Sequence, residues 1–191
     1  MRLIAFAGAL SALLFASTSS LAQEAPQATT IIHAGRLLAD PASGRVLAEQ
    51  SILVGADGRV LGIEAGYVER QGAAIVDQRN RFVLPGLIDS HVHLTHELGP
   101  NQFIEDVTLT ASDAAIRGAE NARKTLLAGF TTVADLGAPN DAIFALRRAI
   151  AENRVPGPRI VASGASITPD GGHGDANGFA PDVVDVLRSP A

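Results

Sequence analysis

Leu84-Pro85-Gly86-Leu87-Ile88-Asp89-Ser90-His91-Val92-His93-Leu94 decides the reading of this chain. Apolar residues lead into two histidines that bracket one valine. In a β-strand, side chains alternate between faces with period two. His91 and His93 therefore point the same way, Asp89 shares their parity, and Ile88 and Val92 face the other side. Two imidazoles one pleat apart on one strand face are suited to grip a single metal ion, and Zn²⁺ favours such nitrogen ligands. Pro85-Gly86 fits a bend at the strand's entrance, where proline is tolerated.

Outward from this stretch, the composition narrows the chemistry. The 191 residues carry a formal charge of −5 and contain no cysteine. Disulfides and thiolate ligands are therefore excluded, and any metal must be held by His, Asp, Glu or a modified Lys. A mildly acidic chain without a basic run argues against nucleic acid as a partner.

Residues 1–22 read as an export leader: Met1-Arg2 is a short positive start, 3–15 are apolar, and Ser20-Leu21-Ala22 fits a small-x-small cleavage site. The apolar run is short for a bilayer span. A periplasmic or secreted protein is expected, beginning at Gln23 and free of the membrane after cleavage. Residues 23–28 read as a linker.

Residues 29–83 form a β-rich section. Thr29-Thr30-Ile31-Ile32-His33, Ser51-Ile52-Leu53-Val54, Val60-Leu61-Gly62-Ile63, Ala73-Ala74-Ile75-Val76-Asp77 and Arg81-Phe82-Val83-Leu84 are short β-branched or apolar runs. Asp57-Gly58 marks a hairpin. The pattern predicts a small antiparallel sandwich or half-barrel. His33 falls within it and reads as a packing or surface histidine.

Beyond His93 a loop carries His96-Glu97, whose register is too unconstrained to assign them as metal ligands. A helix is predicted over 112–128, capped by Ser112 or Asp113, with Ala115, Ala119, Ala122 and Leu126 as its apolar stripe and Gly129 as its stop. Phe130 to Leu136 is a strand, with Asp135 near its C-terminal end. A second helix over 142–152, capped by Asn140 or Asp141, buries Ile143, Leu146 and Ile150. A third strand follows over 159–164. Alternating strand and helix indicate parallel β/α units.

Pro-Gly-Leu-Ile-Asp-x-His-x-His-Leu resembles the opening barrel strand of the metal-dependent amidohydrolase superfamily. Leu-Leu-Ala-Gly-Phe-Thr-Thr-Val-x-Asp-Leu-Gly resembles its passage from the first helix to the second strand. The resemblance implies a (β/α)₈ TIM barrel, of which residues 84–191 hold about the first three strands, preceded by the small β domain. It implies that His91 and His93 bind the more buried divalent metal, with Zn²⁺ expected, and that Asp89 and Asp135 stand behind the ligands as supporting groups. Gly171-Gly172-His173-Gly174-Asp175 resembles a subgroup of imidazolonepropionase- and prolidase-like enzymes, including exported dipeptidases and ochratoxin-hydrolysing amidohydrolases. That likeness assigns His173, at the C-terminal mouth where barrel sites lie, to substrate binding.

A closed barrel of this kind takes about 250 residues, more than 84–191 provide. The chain is therefore expected to be the N-terminal part of a longer amidohydrolase, inactive alone, with its catalytic base and remaining ligands beyond Ala191. Lys124, the single lysine, falls in a helix and is a poor bridging ligand. The expected reaction is metal-dependent hydrolysis of an amide or peptide C–N bond in a dipeptide or acyl-amino-acid substrate. The alternatives are a cyclic-amide hydrolase or deaminase of the same superfamily, or a non-catalytic exported remnant. A homo-oligomer stays open as an assembly state.

Overall fold

A computed structural model of the chain describes residues 27–188. It divides into two compact units, one ending at Val83 and one starting at Leu84. The expected leader, 1–22, and all but the end of the expected linker lie outside the described residues. Among the described residues, no helix is long and apolar enough to cross a membrane.

The first unit holds β1 (Ala28–Leu37), β2 (Leu47–Gly55), β3 (Val60–Ala65) and β4 (Ala74–Val83) in one sheet of order β3-β2-β1-β4. The β2–β3 hairpin turns at Asp57-Gly58 as predicted, with the Gly58 amide donating to the Gly55 carbonyl at 2.9 Å. Here the expectation of an antiparallel sandwich is corrected: the described residues of this unit form one sheet, and β4 runs parallel to β1. β4 also joins two runs that the sequence reading kept apart. Asp77 bridges the gap, its Oδ1 accepting from the Arg79 amide at 3.0 Å where the β1–β4 register shifts.

The parallel pairing follows from a crossover. Residues 66–73 carry the chain from β3 at one edge to β4 at the other, so β4 cannot fold back as a hairpin partner. His33 and Ser51, cross-strand partners on β1 and β2, hold this segment. Ser51 Oγ donates to the Gly66 carbonyl at 2.7 Å and accepts from the Val68 amide at 2.9 Å. His33, 5% exposed, donates from Nε2 to the Val68 carbonyl at 2.9 Å. Ala34, Leu37 and Ile52 form the core of this sheet.

The second unit holds β5 (Leu87–Val92), α1 (Gln102–Thr108), α2 (Ala111–Leu127), β6 (Phe130–Asp135), α3 (Ala142–Ala151), β7 (Arg159–Ala162) and α4 (Pro181–Arg188). β5, β6 and β7 form a parallel sheet in that order. Their shared core joins Leu94, Ala122, Val133, Ile143, Leu146 and Ile160, with Val92 packed against it, so α2 and α3 cover one face of the sheet.

α2 begins one residue before its predicted start and is capped by Thr110, not by Ser112 or Asp113. Thr110 Oγ1 accepts from the Asp113 amide, and the Asp113 carboxylate accepts from the Thr110 amide. This reciprocal pair satisfies two N–H groups that the helix leaves unpaired. The buried stripe is Ala114, Gly118 and Ala122: Ala122 is buried as expected, while Ala114 and Gly118 take the places expected of Ala115 and Ala119. Gly129, at φ 99°, ends α2 in the left-handed region where a side chain would be strained. α3 buries Ala142, Ile143 and Leu146, with Ile150 partly buried beside them. α1 and α4 fall where no helix was predicted. Each has eight residues or fewer, too short for a helical period to stand out in sequence.

Candidate metal centre

β5 presents the two histidines as its alternation demands. Val92 turns into the core while the imidazoles of His91 and His93 converge, their Nε2 atoms 3.3 Å apart and their rings crossed at 71°. Asp89 shares their parity but turns back along the chain: its Oδ1 accepts from the His91 amide at 3.0 Å, at the irregular stretch of the β5–β6 ladder. Its carboxylate therefore shapes the backbone under His91.

His93 is fixed by its other nitrogen. Nδ1 lies 3.0 Å from the Gly137 carbonyl oxygen. A carbonyl only accepts, so Nδ1 carries the proton and Nε2 presents its lone pair. The arrangement fits a divalent ion. Two nitrogens held about 2.0–2.1 Å from a tetrahedral zinc stand about 3.3–3.4 Å from each other, which is the separation of these two atoms. An Nδ1–H committed to a backbone carbonyl is also how metal-binding histidines are usually oriented. Among the described residues no group of three or more His, Asp or Glu is placed to hold a metal.

Asp135 does not face the imidazoles. It shares strand parity with the core residue Val133 and is 0% exposed. Its Oδ2 accepts from the Leu94 amide at 2.7 Å and its Oδ1 from the Gly137 amide at 3.2 Å. Burial pushes this carboxyl up from its ordinary value, while the two amides and the nearby His93 and His96 pull it down by less. The Leu94 carbonyl accepts from Asn121 Nδ2 at 2.9 Å.

The His96 ring lies 6.3 Å from that of His93, and its Nδ1 lies 3.4 Å from Thr95 Oγ1. A cleft of about 280 Å³ opens between His93, His96 and Glu97 on one side and Asn121 and Lys124 of α2 on the other. Lys124 is spent on Glu120, one helical turn away at 2.8 Å.

His173 sits in the loop after β7, exposed and outside that loop's hydrogen bonds. The loop is tied within itself, with Asp175 Oδ2 accepting from the Gly171 amide at 2.6 Å and Asn177 Nδ2 donating to the Gly172 carbonyl at 2.6 Å. Nearer the histidine pair, a side chain at Gly137 would collide with Ser166 Oγ, and the Gly137 carbonyl accepts from the His93 ring.

The sequence reading missed Gly137, Ser166 and Asn121. Asn121 left a signal, as an uncharged polar residue beside the buried stripe of α2. Gly137 closes the motif that ends β6, but a backbone carbonyl leaves no trace in a side-chain pattern.

The sequence profile described as "Amidohydrolase family" matches residues 82–189. The chain belongs to the amidohydrolase family. It is 37% identical over 87 residues to a dihydroorotase of Anaeromyxobacter sp. strain K, covering 46% of this chain and 19% of the relative. To the ochratoxinase of Aspergillus niger it is 29% identical over 167 residues, covering 84% and 32%. Among solved structures, it resembles a Xaa-Pro dipeptidase crystallised with methionine in its active site: 34% identity, a TM-score of 0.70, and 80% of this chain against 37% of that one. The chain thus spans between about a fifth and somewhat over a third of the length of these relatives.

Proposed function

We propose that this chain supplies the opening part of a metal-dependent hydrolase site acting on amide C–N bonds, with dipeptide or acyl-amino-acid substrates. The observation that carries the reading is the pair of Nε2 atoms 3.3 Å apart, one of them with its tautomer fixed by Gly137. β5, β6 and β7 are read as the first staves of a (β/α)₈ barrel. The imidazoles then stand at the C-terminal ends of its strands, where such barrels carry their chemistry.

His91 and His93 would hold a divalent ion, with zinc favoured by the nitrogen donors and the spacing. When bound, such an ion supplies Lewis-acid polarisation of a scissile carbonyl and brings a water molecule's pKa toward neutrality. The chain's own residues do the rest of what is assigned here. Asp89 and Asp135 set the backbone beneath the imidazoles, and His173, exposed in the loop after β7, contacts the substrate. Two protein ligands are one fewer than catalytic zinc commonly has, so further ligands and the catalytic base are assigned to later strands of a longer protein.

Linear amides are favoured over cyclic ones by the extent of the likeness. The ochratoxinase and the dipeptidase match over 84% and 80% of the chain, the dihydroorotase over 46%. Residues 1–22 are proposed as a cleaved export leader, which N-terminal sequencing of exported protein checks.

The test uses the full-length protein, with metal content measured alongside hydrolysis of Xaa-Pro dipeptides, N-acyl amino acids and dihydroorotate. The expected result is turnover of the linear amides, with metal and activity both lost in His91→Ala and His93→Ala. Metal content unchanged in both variants would sink the reading. Turnover of dihydroorotate alone would replace the substrate class.

A further inference from the structure

We propose that Asp135 is a positioning residue for His93, acting from the opposite side of the sheet through two backbone amides. The proposal rests on the reading that His91 and His93 hold a divalent ion.

The geometry closes a ring. Asp135 Oδ2 accepts from the amide of Leu94, the residue that follows His93. Asp135 Oδ1 accepts from the amide of Gly137. The Gly137 carbonyl in turn accepts the Nδ1 proton of His93 at 3.0 Å. One carboxylate thus fixes both the chain that carries the imidazole and the carbonyl that orients it. The next peptide is held by Asn121, whose Nδ2 donates to the Leu94 carbonyl, and the Leu94 side chain is buried in the core. His93 cannot swing without breaking a bond to a buried group.

The chemistry of the residue matters. Both Asp135 oxygens are occupied as acceptors of N–H groups, and the side chain is fully buried. A buried carboxylate is costly unless its oxygens are bonded in this way. An asparagine of the same shape has one acceptor oxygen, so its amide nitrogen would face one of the two N–H groups, donor against donor. The side chain cannot contact a substrate on the imidazole face, because its parity places it among core residues. Its influence on the site runs through the backbone alone.

A purely structural Asp135 would cap the end of β6 and affect stability only. Cobalt(II) affinity and the visible spectrum of bound Co²⁺ distinguish the two roles in the metal-free, full-length protein. Asp135→Asn is expected to bind Co²⁺ about 10- to 100-fold more weakly, the range seen when a ligand's orienting partner is lost, and to shift the spectrum. A core control, Ile143→Val or Ile143→Ala, whichever matches its melting temperature, should leave both unchanged. Wild-type affinity and spectrum in Asp135→Asn, or an equal loss in the matched control, would overturn the proposal.

Where Asp135→Asn does not fold, imidazole ¹⁵N shifts of the metal-free wild type decide. An Nδ1–H tautomer at His93 supports the linkage, and an Nε2–H tautomer overturns it. Failure of the metal reading looks different: His93→Ala would then bind Co²⁺ as the wild type does, whatever the tautomer.

Discussion

Gly137 and Ser166 approach so closely that a methyl group on Gly137 would collide with Ser166 Oγ, and the same methyl would stand 3.1 Å from Cε1 of His93. A glycine is required here for lack of space between a hydroxyl and an imidazole. Gly137→Ala should therefore push on His93 and weaken metal binding, with little change in secondary structure. The double variant Gly137→Ala/Ser166→Gly removes the collision and should recover part of the affinity. Zinc titration of the single and double variants checks this. Equal weakening in both would mean that Ser166 is not what confines Gly137.

The first unit offers a separate prediction. His33 and Ser51 satisfy the backbone of residues 66–68 with three hydrogen bonds. His33→Leu leaves the Val68 carbonyl without its partner, and Ser51→Ala strips both the Gly66 carbonyl and the Val68 amide. Stranding a fully buried polar group costs about 1–3 kcal/mol, and Gly66 and Val68 are half-buried. Each substitution should therefore lower stability by about 1 kcal/mol in urea unfolding, and amide exchange should quicken around residue 68. Unchanged exchange at Val68 in Ser51→Ala would refute the clasp.

Two substitutions probe the second unit's scaffold. Thr110→Ala breaks the reciprocal cap of α2 and should cost about 1 kcal/mol. Ile143→Ala opens a hole in the core shared by α2, α3 and the sheet and should cost about 2–5 kcal/mol. Thermal or urea unfolding followed by circular dichroism reads both. A smaller loss for Ile143 than for Thr110 would mean that this core does not hold the unit together.

Asp77 gives a dependence on pH. The Arg79 side chain, then its amide, hold the Asp77 carboxyl at about 2, below its ordinary 3.8. A carboxyl with a lower pKa when folded stabilises the fold above its unfolded value, and that contribution disappears as pH falls through the folded one. The stability difference between wild type and Asp77→Asn should therefore be constant above about pH 5 and be lost as pH falls through about 2. Because the pair is exposed, the difference should be small and shrink with added salt. Urea unfolding across that range tests it, and a difference that grows on acidification would contradict the assignment.

What the sequence determined by itself was the local order. The convergence of His91 and His93 one pleat apart, the Asp57-Gly58 turn, the stop at Gly129 and the buried Ile143 and Leu146 are all set by residues within a few positions of one another, whereas the irregular ladder between Asp89 and Val92 breaks the alternation expected for Ile88 and Asp89. Periods of two and 3.6 record such constraints directly. The start of α2 was misplaced by one residue because Ser112 and Asp113 are as fit to cap as Thr110, and only the reciprocal bond selects among them.

Tertiary structure decided the rest. That β4 lies parallel to β1 depends on residues 66–73 crossing to the far edge, held by His33 and Ser51 from strands paired across the sheet. That Asp135 turns away from the imidazoles and still governs one of them depends on bonds to Leu94, 41 residues earlier, and on the Gly137 carbonyl. Backbone amides and carbonyls are the same at every position, so a network built from them is written in the folded geometry and not in the order of side chains.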